Sequence, residues 1–175
     1  MTLLQRDSVA LRPLQVADAI PMYVPFCDPA LYFFVPMDPP ATLGAMQARF
    51  EELCSGGSED GLETWQNWTI RLEGHDTPIG IVETTLFRDA RAQIGYFVFR
   101  DYWRRGIASI AVGLAVEHLR EACAVRLCEA FVDTRNFASM RVLEKLGFTV
   151  AEFIPQADFF KGQHSDEYRL VNVMG

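Results

Sequence analysis

Three β-rich segments lie close together between residues 64 and 99, and they determine which strand pairing this chain can form. They read TWQNWTIRLE, PIGIVETTLF and AQIGYFVF, and the short links GHDT and RDAR between them are turn-prone. This order predicts an antiparallel meander. A helix follows Gly106, and residues 125–133 (VRLCEAFVD) form the next strand. The predicted fold is therefore mixed α+β, with a strand–helix–strand crossover at its centre. The apolar side of that helix comprises Ile107, Ile110, Ala111, Leu114 and Leu119.

The segments on either side complete this order. Residues 8–14 form an opening strand, and a helix begins near Asp18 that we expect Pro21 and Pro25 to interrupt. Thr42 is a suitable N-cap for a second helix, which we expect to run through Cys54. Near the C-terminus, the sequence predicts a short helix and two strands. That helix begins after Asn136 and ends at Gly147, and the strands cover residues 148–154 and 167–173.

Composition limits the classes of function. Half of the 175 residues are hydrophobic, which is enough for one core, so we expect a single domain over residues 1–175. A formal net charge of −7 argues against a nucleic-acid partner and leaves open a cationic substrate such as an amine. No apolar run approaches the roughly 18 residues of a membrane span. The four cysteines show no metal-ligand spacing, so we expect no metal, and the start of the chain lacks a secretory leader pattern. These features favour the cytoplasm.

The stretch RDYWRRGIAS, residues 100–109, concentrates positive charge and backbone freedom between a strand and a helix. A helix that begins after a glycine presents free backbone N–H groups, and these groups favour a bound anion, phosphate above all. Arg104 and Arg105 add two cations beside that turn. An ordinary strand-to-helix turn with solvated arginines remains the alternative. Neither GxxxxGK[ST] nor GxGxxG is present, so a P-loop and a dinucleotide fold are both disfavoured.

A second segment, NFASMRVLEKLGF at residues 136–148, follows about 30 residues later. Together with GYFVFRDYWRRGIAS it resembles the GNAT superfamily of acyl-CoA-dependent N-acetyltransferases, and within it the RimJ/RimL-like branch. The Tyr102–Trp103 pair, the N-x-x-S pattern and the EKLGF ending carry the likeness. The resemblance implies a central, mostly antiparallel sheet with a splayed parallel strand pair and flanking helices. Acetyl-CoA would be the co-substrate. Relatives usually have glycine where this chain has Arg104.

The resemblance also implies where coenzyme A would bind. Its pantetheine arm would enter the splayed strand pair and bond to main-chain groups around Phe97, Val98 and Phe99. The pyrophosphate would lie on the backbone N–H groups of Arg104, Arg105, Gly106, Ile107, Ala108 and Ser109, and Asn136 would contact the cofactor.

The chemistry of acetyl transfer needs a neutral amine and a proton for the departing thiolate. Ser139 is the candidate proton donor. Many relatives have a glutamate where this chain has Gln93, so Glu83 on the preceding strand is the nearest candidate base, with a relay through water as the alternative. The expected acceptor pocket comprises Phe33, Phe34, Trp68 and Tyr96.

These features predict an N-acetyltransferase that moves an acetyl group to a primary amine, either a protein N-terminus or a small amine, by direct attack. Because Gln93 replaces the usual carboxylate, a non-catalytic CoA-binding or sensory module remains the alternative. The expected partners are acetyl-CoA and an amine-bearing acceptor, and a homodimer stays open.

Overall fold

The computed structural model describes residues 3–174, which form eight strands and four α-helices. The elements are β1 (Leu4–Arg6), β2 (Val9–Pro13), α1 (Ala19–Phe26), α2 (Leu43–Cys54), β3 (Glu63–Leu72), β4 (Gly80–Phe87), β5 (Arg91–Val98), α3 (Ile107–Ala122), β6 (Leu127–Asp133), α4 (Phe137–Lys145), β7 (Thr149–Phe160) and β8 (Gln163–Val173). No helix among these residues combines the length and the apolar composition that crossing a membrane requires.

All the strands join one sheet in the order β1-β2-β3-β4-β5-β6-β8-β7. Every neighbouring pair is antiparallel except β5 and β6, which are parallel. Their pairing covers only residues 91–93 of β5 and 127–129 of β6. Beyond Gln93 the two strands diverge, which confirms the predicted splayed pair. A gap therefore opens in the middle of the sheet.

The two faces of the sheet are covered by different helices. Side chains alternate along each strand, so Val82 packs in the cluster that includes α3, whereas neighbouring Ile81 packs in the cluster that includes α1 and α2. The same alternation places Tyr96 on the α3 face and Phe97 on the opposite face. A residue's position in its strand therefore decides which side of the gap its side chain reaches.

Gly80 lets β4 approach β5 closely. A Cβ at this position would lie 2.2 Å from the carbonyl oxygen of Phe97, a distance that real Cβ atoms essentially never show. The carbonyl of Phe97 is therefore directed toward β4 and away from the gap.

The local predictions for the helices hold in most respects. Thr42 Oγ1 accepts a hydrogen bond from the backbone N–H of Ala45, 3.1 Å away, and α2 ends at Cys54 as expected. The prediction that Pro21 interrupts the first helix is wrong, since α1 continues through this residue and ends directly after Pro25. Proline is tolerated in a first turn because the N–H it lacks has no partner there.

The C-terminal hairpin is longer than the sequence indicated. β7 and β8 continue past residues 154 and 167 to a two-residue turn at Lys161 and Gly162, both with positive φ. Lys-Gly lacks the asparagine or aspartate that is typical of such turns, so the sequence does not indicate a turn at this position. The register shifts between Ile154 and Asp158, where β7 carries extra residues and the hairpin bends.

Candidate active site

The gap between β5 and β6 opens into a cleft of about 680 Å³. Residues 93–97 of β5 form one wall and residues 130–133 of β6 form the other, while the start of α4 contributes Asn136 and Ser139. The loop 34–37 and the hairpin residues Asp158 and Glu167 close the sides. A cleft made by strands that part presents main-chain groups as well as side chains to a ligand.

Ser139 and Tyr96 meet on the α3 face of this cleft. The phenol oxygen of Tyr96 lies 2.9 Å from Ser139 Oγ, and either hydroxyl can donate in this pair. Asn136 is the N-cap of α4, and its Oδ1 accepts from the backbone N–H of Ser139 at 3.1 Å. Burial raises the pKa of Tyr96 to about 12, against the opposing effect of the bond from Ser139. Tyr96 therefore keeps its proton at neutral pH.

Glu83 lines the cleft from the opposite face of the sheet. Its carboxylate accepts from Arg49 on α2 at 2.6 Å, and its side chain is 25% exposed. Burial raises the pKa of Glu83 above its usual value, and the charge of Arg49 partly offsets this rise. A carboxylate with a raised pKa is a better proton acceptor than an ordinary surface glutamate.

The carboxylate beside Gln93 is already engaged elsewhere. Glu129 on β6 is the parallel partner of Gln93, and it is only 5% exposed. Arg91 donates to it at 3.0 Å and Arg169 at 2.7 Å. Both of its carboxylate oxygens are therefore engaged in ion pairs with guanidinium groups. Glu129 also does not line the cleft, whereas Glu83 does.

The start of α3 offers a row of backbone donors. Across the part of the chain that the structure describes, none of the N–H groups of residues 104–109 donates to a main-chain or side-chain acceptor. The first helical bond runs from Ile110 N to Gly106 O. Gly106 has φ 75° and Arg104 has φ 62°, so Arg104 occupies the left-handed conformation that glycine adopts more easily. These N–H groups are therefore unengaged by the described residues, and their role as an anion cradle stays a prediction.

The main-chain predictions on β5 need a correction. Phe99 donates its N–H to Ile79 O and its carbonyl accepts from Tyr102 N, both at 2.9 Å, so its N–H is not available to a cofactor and its carbonyl already has one partner. The carbonyl of Val98 accepts from Trp103 Nε1 at 2.6 Å.

Phe97 needs the same correction, because its carbonyl points toward β4. Since bonding directions alternate along an antiparallel ladder, the groups that face the gap are the Val98 N–H and both backbone groups of Tyr96. The side chain of Phe97 does line the cleft.

The predicted acceptor residues separate into two sets. Tyr96 and Phe34 line the cleft. Trp68 does not, because it is 0% exposed in the α3-side core and its ring packs edge-on against His118. Phe33 does not line the cleft either: it is 58% exposed, and its ring centroid lies 4.8 Å from that of Phe34. The alternation of β3 explains Trp68, whose partner Val82 belongs to the same core.

Several cleft residues had no clear signal in the sequence. Asp158 and Glu167 lie on the hairpin and line the cleft, while Arg49 on α2 reaches Glu83 behind it, and only the fold brings these groups to the site. Burial raises the pKa of Glu167, and the nearby charges of Asp158 and Asp133 add to this rise. The only sequence signal for Asp158 and Glu167 is that they are acidic residues within the last two strands.

The sequence model of the acetyltransferase (GNAT) domain family matches residues 8–149. The chain belongs to the GNAT family. As a GNAT protein it is an acetyl-CoA-dependent acyltransferase, and coenzyme A accompanies some of its structural neighbours. Among curated proteins it is 25% identical to the uncharacterized N-acetyltransferase p20 of Bacillus licheniformis, over 96% of this chain and 94% of the relative.

Solved structures share this GNAT fold over nearly the whole chain. The RimL ribosomal L7/L12 α-N-protein acetyltransferase in complex with coenzyme A superposes with a TM-score of 0.89 at 15% identity, covering 99% of this chain and 98% of that one. The spermidine N-acetyltransferase of Vibrio cholerae, in complex with CoA and spermine, gives 0.82 at 13% identity and covers 97% of both chains. At such identities the likeness establishes the fold.

Proposed function

We propose that this GNAT enzyme transfers the acetyl group of acetyl-CoA to a primary amine by direct attack of the amine on the thioester. The observation that carries the proposal is the placement of two kinds of proton-handling group at one cleft. Glu83 reaches the cleft from one face of the sheet, and the Ser139–Tyr96 pair reaches it from the other. The acceptor amine must lose a proton before it attacks, and the departing thiolate must gain one.

The backbone donors at the start of α3 are the proposed diphosphate site. Their N–H groups and the positive end of the helix dipole favour an anion, and Arg104 and Arg105 add charge nearby. From there to Ser139, the N–H of Val98 and the backbone of Tyr96 offer hydrogen bonds along the open edge of β5. Acetyl-CoA supplies the activated acyl group, and these residues hold it in place.

In the proposed reaction, Glu83 accepts a proton from the ammonium form of the acceptor, directly or through water. The neutral nitrogen then forms a bond to the carbonyl carbon, and the carbon–sulfur bond breaks as the tetrahedral intermediate collapses. The thiolate takes a proton from the hydroxyl pair of Ser139 and Tyr96, and the proton that the nitrogen loses as it becomes the amide returns to that pair through water. No cysteine carries the acyl group in this scheme.

The charge of the cleft supports a cationic acceptor. Glu83, Asp158 and Glu167 all line it, and the chain as a whole is acidic. An ammonium ion is attracted to such a surface, most strongly at low ionic strength. A protein N-terminus and a small polyamine both meet this requirement, and both are acceptors by name among the structural neighbours.

The replacement of the usual carboxylate by Gln93 favours one other function, a CoA-binding module without turnover. One assay separates the two. Purified protein is incubated with acetyl-CoA and either spermidine or an alanine-first hexapeptide, and the released thiol and the acetylated product are measured. We expect turnover of at least one amine, reduced in Ser139→Ala. Tight CoA binding without turnover across a broad amine panel would favour the module.

A further inference from the structure

Lys161 ties the tip of the β7–β8 hairpin to the loop on the other side of the cleft. Its ammonium nitrogen donates to the carbonyl oxygen of Tyr32 at 2.7 Å, of Val35 at 3.1 Å and of Met37 at 3.3 Å. An ammonium group has three N–H donors and no acceptor, so these three carbonyls use its whole bonding capacity. The contact joins segments that are more than 120 residues apart in sequence.

A β-bulge bends the hairpin a few residues before this contact. Between Ile154 and Asp158 the register of β7 shifts against β8, and Gln156 has φ 51°. The N–H of Gln156 donates to the carboxylate of Asp166 at 2.8 Å, which holds the bulge closed. A bulge bends its strand, and here the bend accompanies a hairpin tip that reaches the loop.

The turn residue itself is unusual. Lys161 and Gly162, with φ 50° and 76°, form the two-residue turn that normally takes asparagine or glycine at its first position. A lysine is conformationally unfavourable there because its Cβ crowds the following carbonyl. The three carbonyl contacts are an interaction that asparagine or glycine at this position could not make.

Both segments that Lys161 connects are walls of the cleft. The loop contributes residues 34–37, and the hairpin contributes Asp158. The sheet does not hold these walls together, since β5 and β6 stop pairing at Gln93. We propose that Lys161 is a positioning residue that fixes the acceptor side of the cleft, and this role rests on the proposed amine transfer. It does not touch the groups assigned to the cofactor.

The first test of the tie needs no activity. Lysines occur only at positions 145 and 161, so acylation by a succinimidyl ester can be read at both sites by mass spectrometry. Both lysines are exposed, but at Lys161 the reagent must displace three hydrogen bonds, so we expect Lys161 to react more slowly than Lys145. Equal rates at the two sites would overturn the tie.

Hydrogen exchange at short labelling times tests what the tie holds. In Lys161→Met we expect faster exchange in residues 33–37 and 156–166, with α3 unchanged, whereas Lys145→Met should match the wild type. Unchanged exchange in the loop, or faster exchange throughout the chain, would contradict a positioning role. Neither result depends on the identity of the acceptor.

Kinetics then test the role in the reaction, with spermidine and the alanine-first hexapeptide as probes. Displacement of a binding wall should raise KM for the amine about tenfold in Lys161→Met, leaving kcat and KM for acetyl-CoA nearly unchanged. Lys161→Arg should give an intermediate KM for the amine, because a planar guanidinium cannot donate to three converging carbonyl oxygens with equally good geometry. An equal rise in the KM for the amine and the KM for acetyl-CoA would overturn the proposal. If the wild type turns over neither spermidine nor the hexapeptide, that result would instead count against the proposed function.

Discussion

The phenol oxygen of Tyr96 on β5 lies 2.9 Å from Ser139 Oγ on α4, so hydrogen bonding connects the two elements at the open part of the sheet. Each hydroxyl orients the other. Since burial raises the pKa of Tyr96 to about 12, the phenol keeps its proton at neutral pH and the pair can donate a hydrogen bond to a developing thiolate.

This relationship predicts that Ser139 and Tyr96 act as a unit. Ser139→Ala should lower kcat about 100-fold, which is typical for removal of a positioned proton donor. Tyr96→Phe should have a smaller effect in the same direction. The double variant should be no slower than Ser139→Ala alone, because residues of one proton path are not additive.

Steady-state kinetics at saturating acetyl-CoA measure these effects. The affinity of each variant for CoA is the control, and it should stay close to that of the wild type. If the double variant loses kcat by the product of the two single-variant factors, the two hydroxyls act independently.

Glu83 should set the acid limb of the pH profile. Burial raises its pKa, so as the pH falls through that raised value Glu83 gains a proton and can no longer accept one. The rate constant kcat/KM should therefore fall toward acid, with an apparent pKa above that of an ordinary glutamate, and Glu83→Gln should remove this limb together with most of the activity.

Arg49 provides the matched comparison for Glu83. Its charge opposes the rise in the pKa of Glu83, so Arg49→Met should move the acid limb to higher pH. An acid limb that does not move in Arg49→Met would assign the titration to another group.

The start of α3 should control cofactor affinity. Ala108→Trp places a large side chain on the first turn, where the free N–H groups lie, and we expect CoA binding to fall below detection in calorimetry. Ala122→Trp, at the exposed far end of the same helix, is the control and should bind normally. Equal affinity of the two variants would place the diphosphate elsewhere.

Gly80 should be sensitive to a single methyl group. Gly80→Ala brings a Cβ within 2.2 Å of the Phe97 carbonyl, so β4 and β5 must move apart, and we expect a loss of about 3 kcal/mol in the free energy of unfolding. Gly95→Ala, on the facing strand, meets nothing within 4 Å and should be neutral or slightly stabilising. Urea denaturation compares the two, and similar midpoints would contradict the close approach.

The sequence by itself determined the elements whose signals are local. Thr42 and Asn136 are helix caps, and each bonds to an N–H three residues along the chain. Gly106 begins α3 with a positive φ, and alternation in residues 64–99 produces the meander. These features depend on neighbours within a turn or a strand, so pattern and residue type were enough. The splayed pair followed from the family resemblance.

Tertiary structure alone decided which distant groups meet. The pairs Glu83–Arg49, Tyr96–Ser139 and Lys161 with the loop carbonyls join residues 34, 43 and more than 120 positions apart. Strand alternation also placed Trp68 in the core rather than in the cleft. No local sequence pattern indicates such contacts. Each depends on strand register and on the bend of the hairpin, and the packing of the whole sheet sets both.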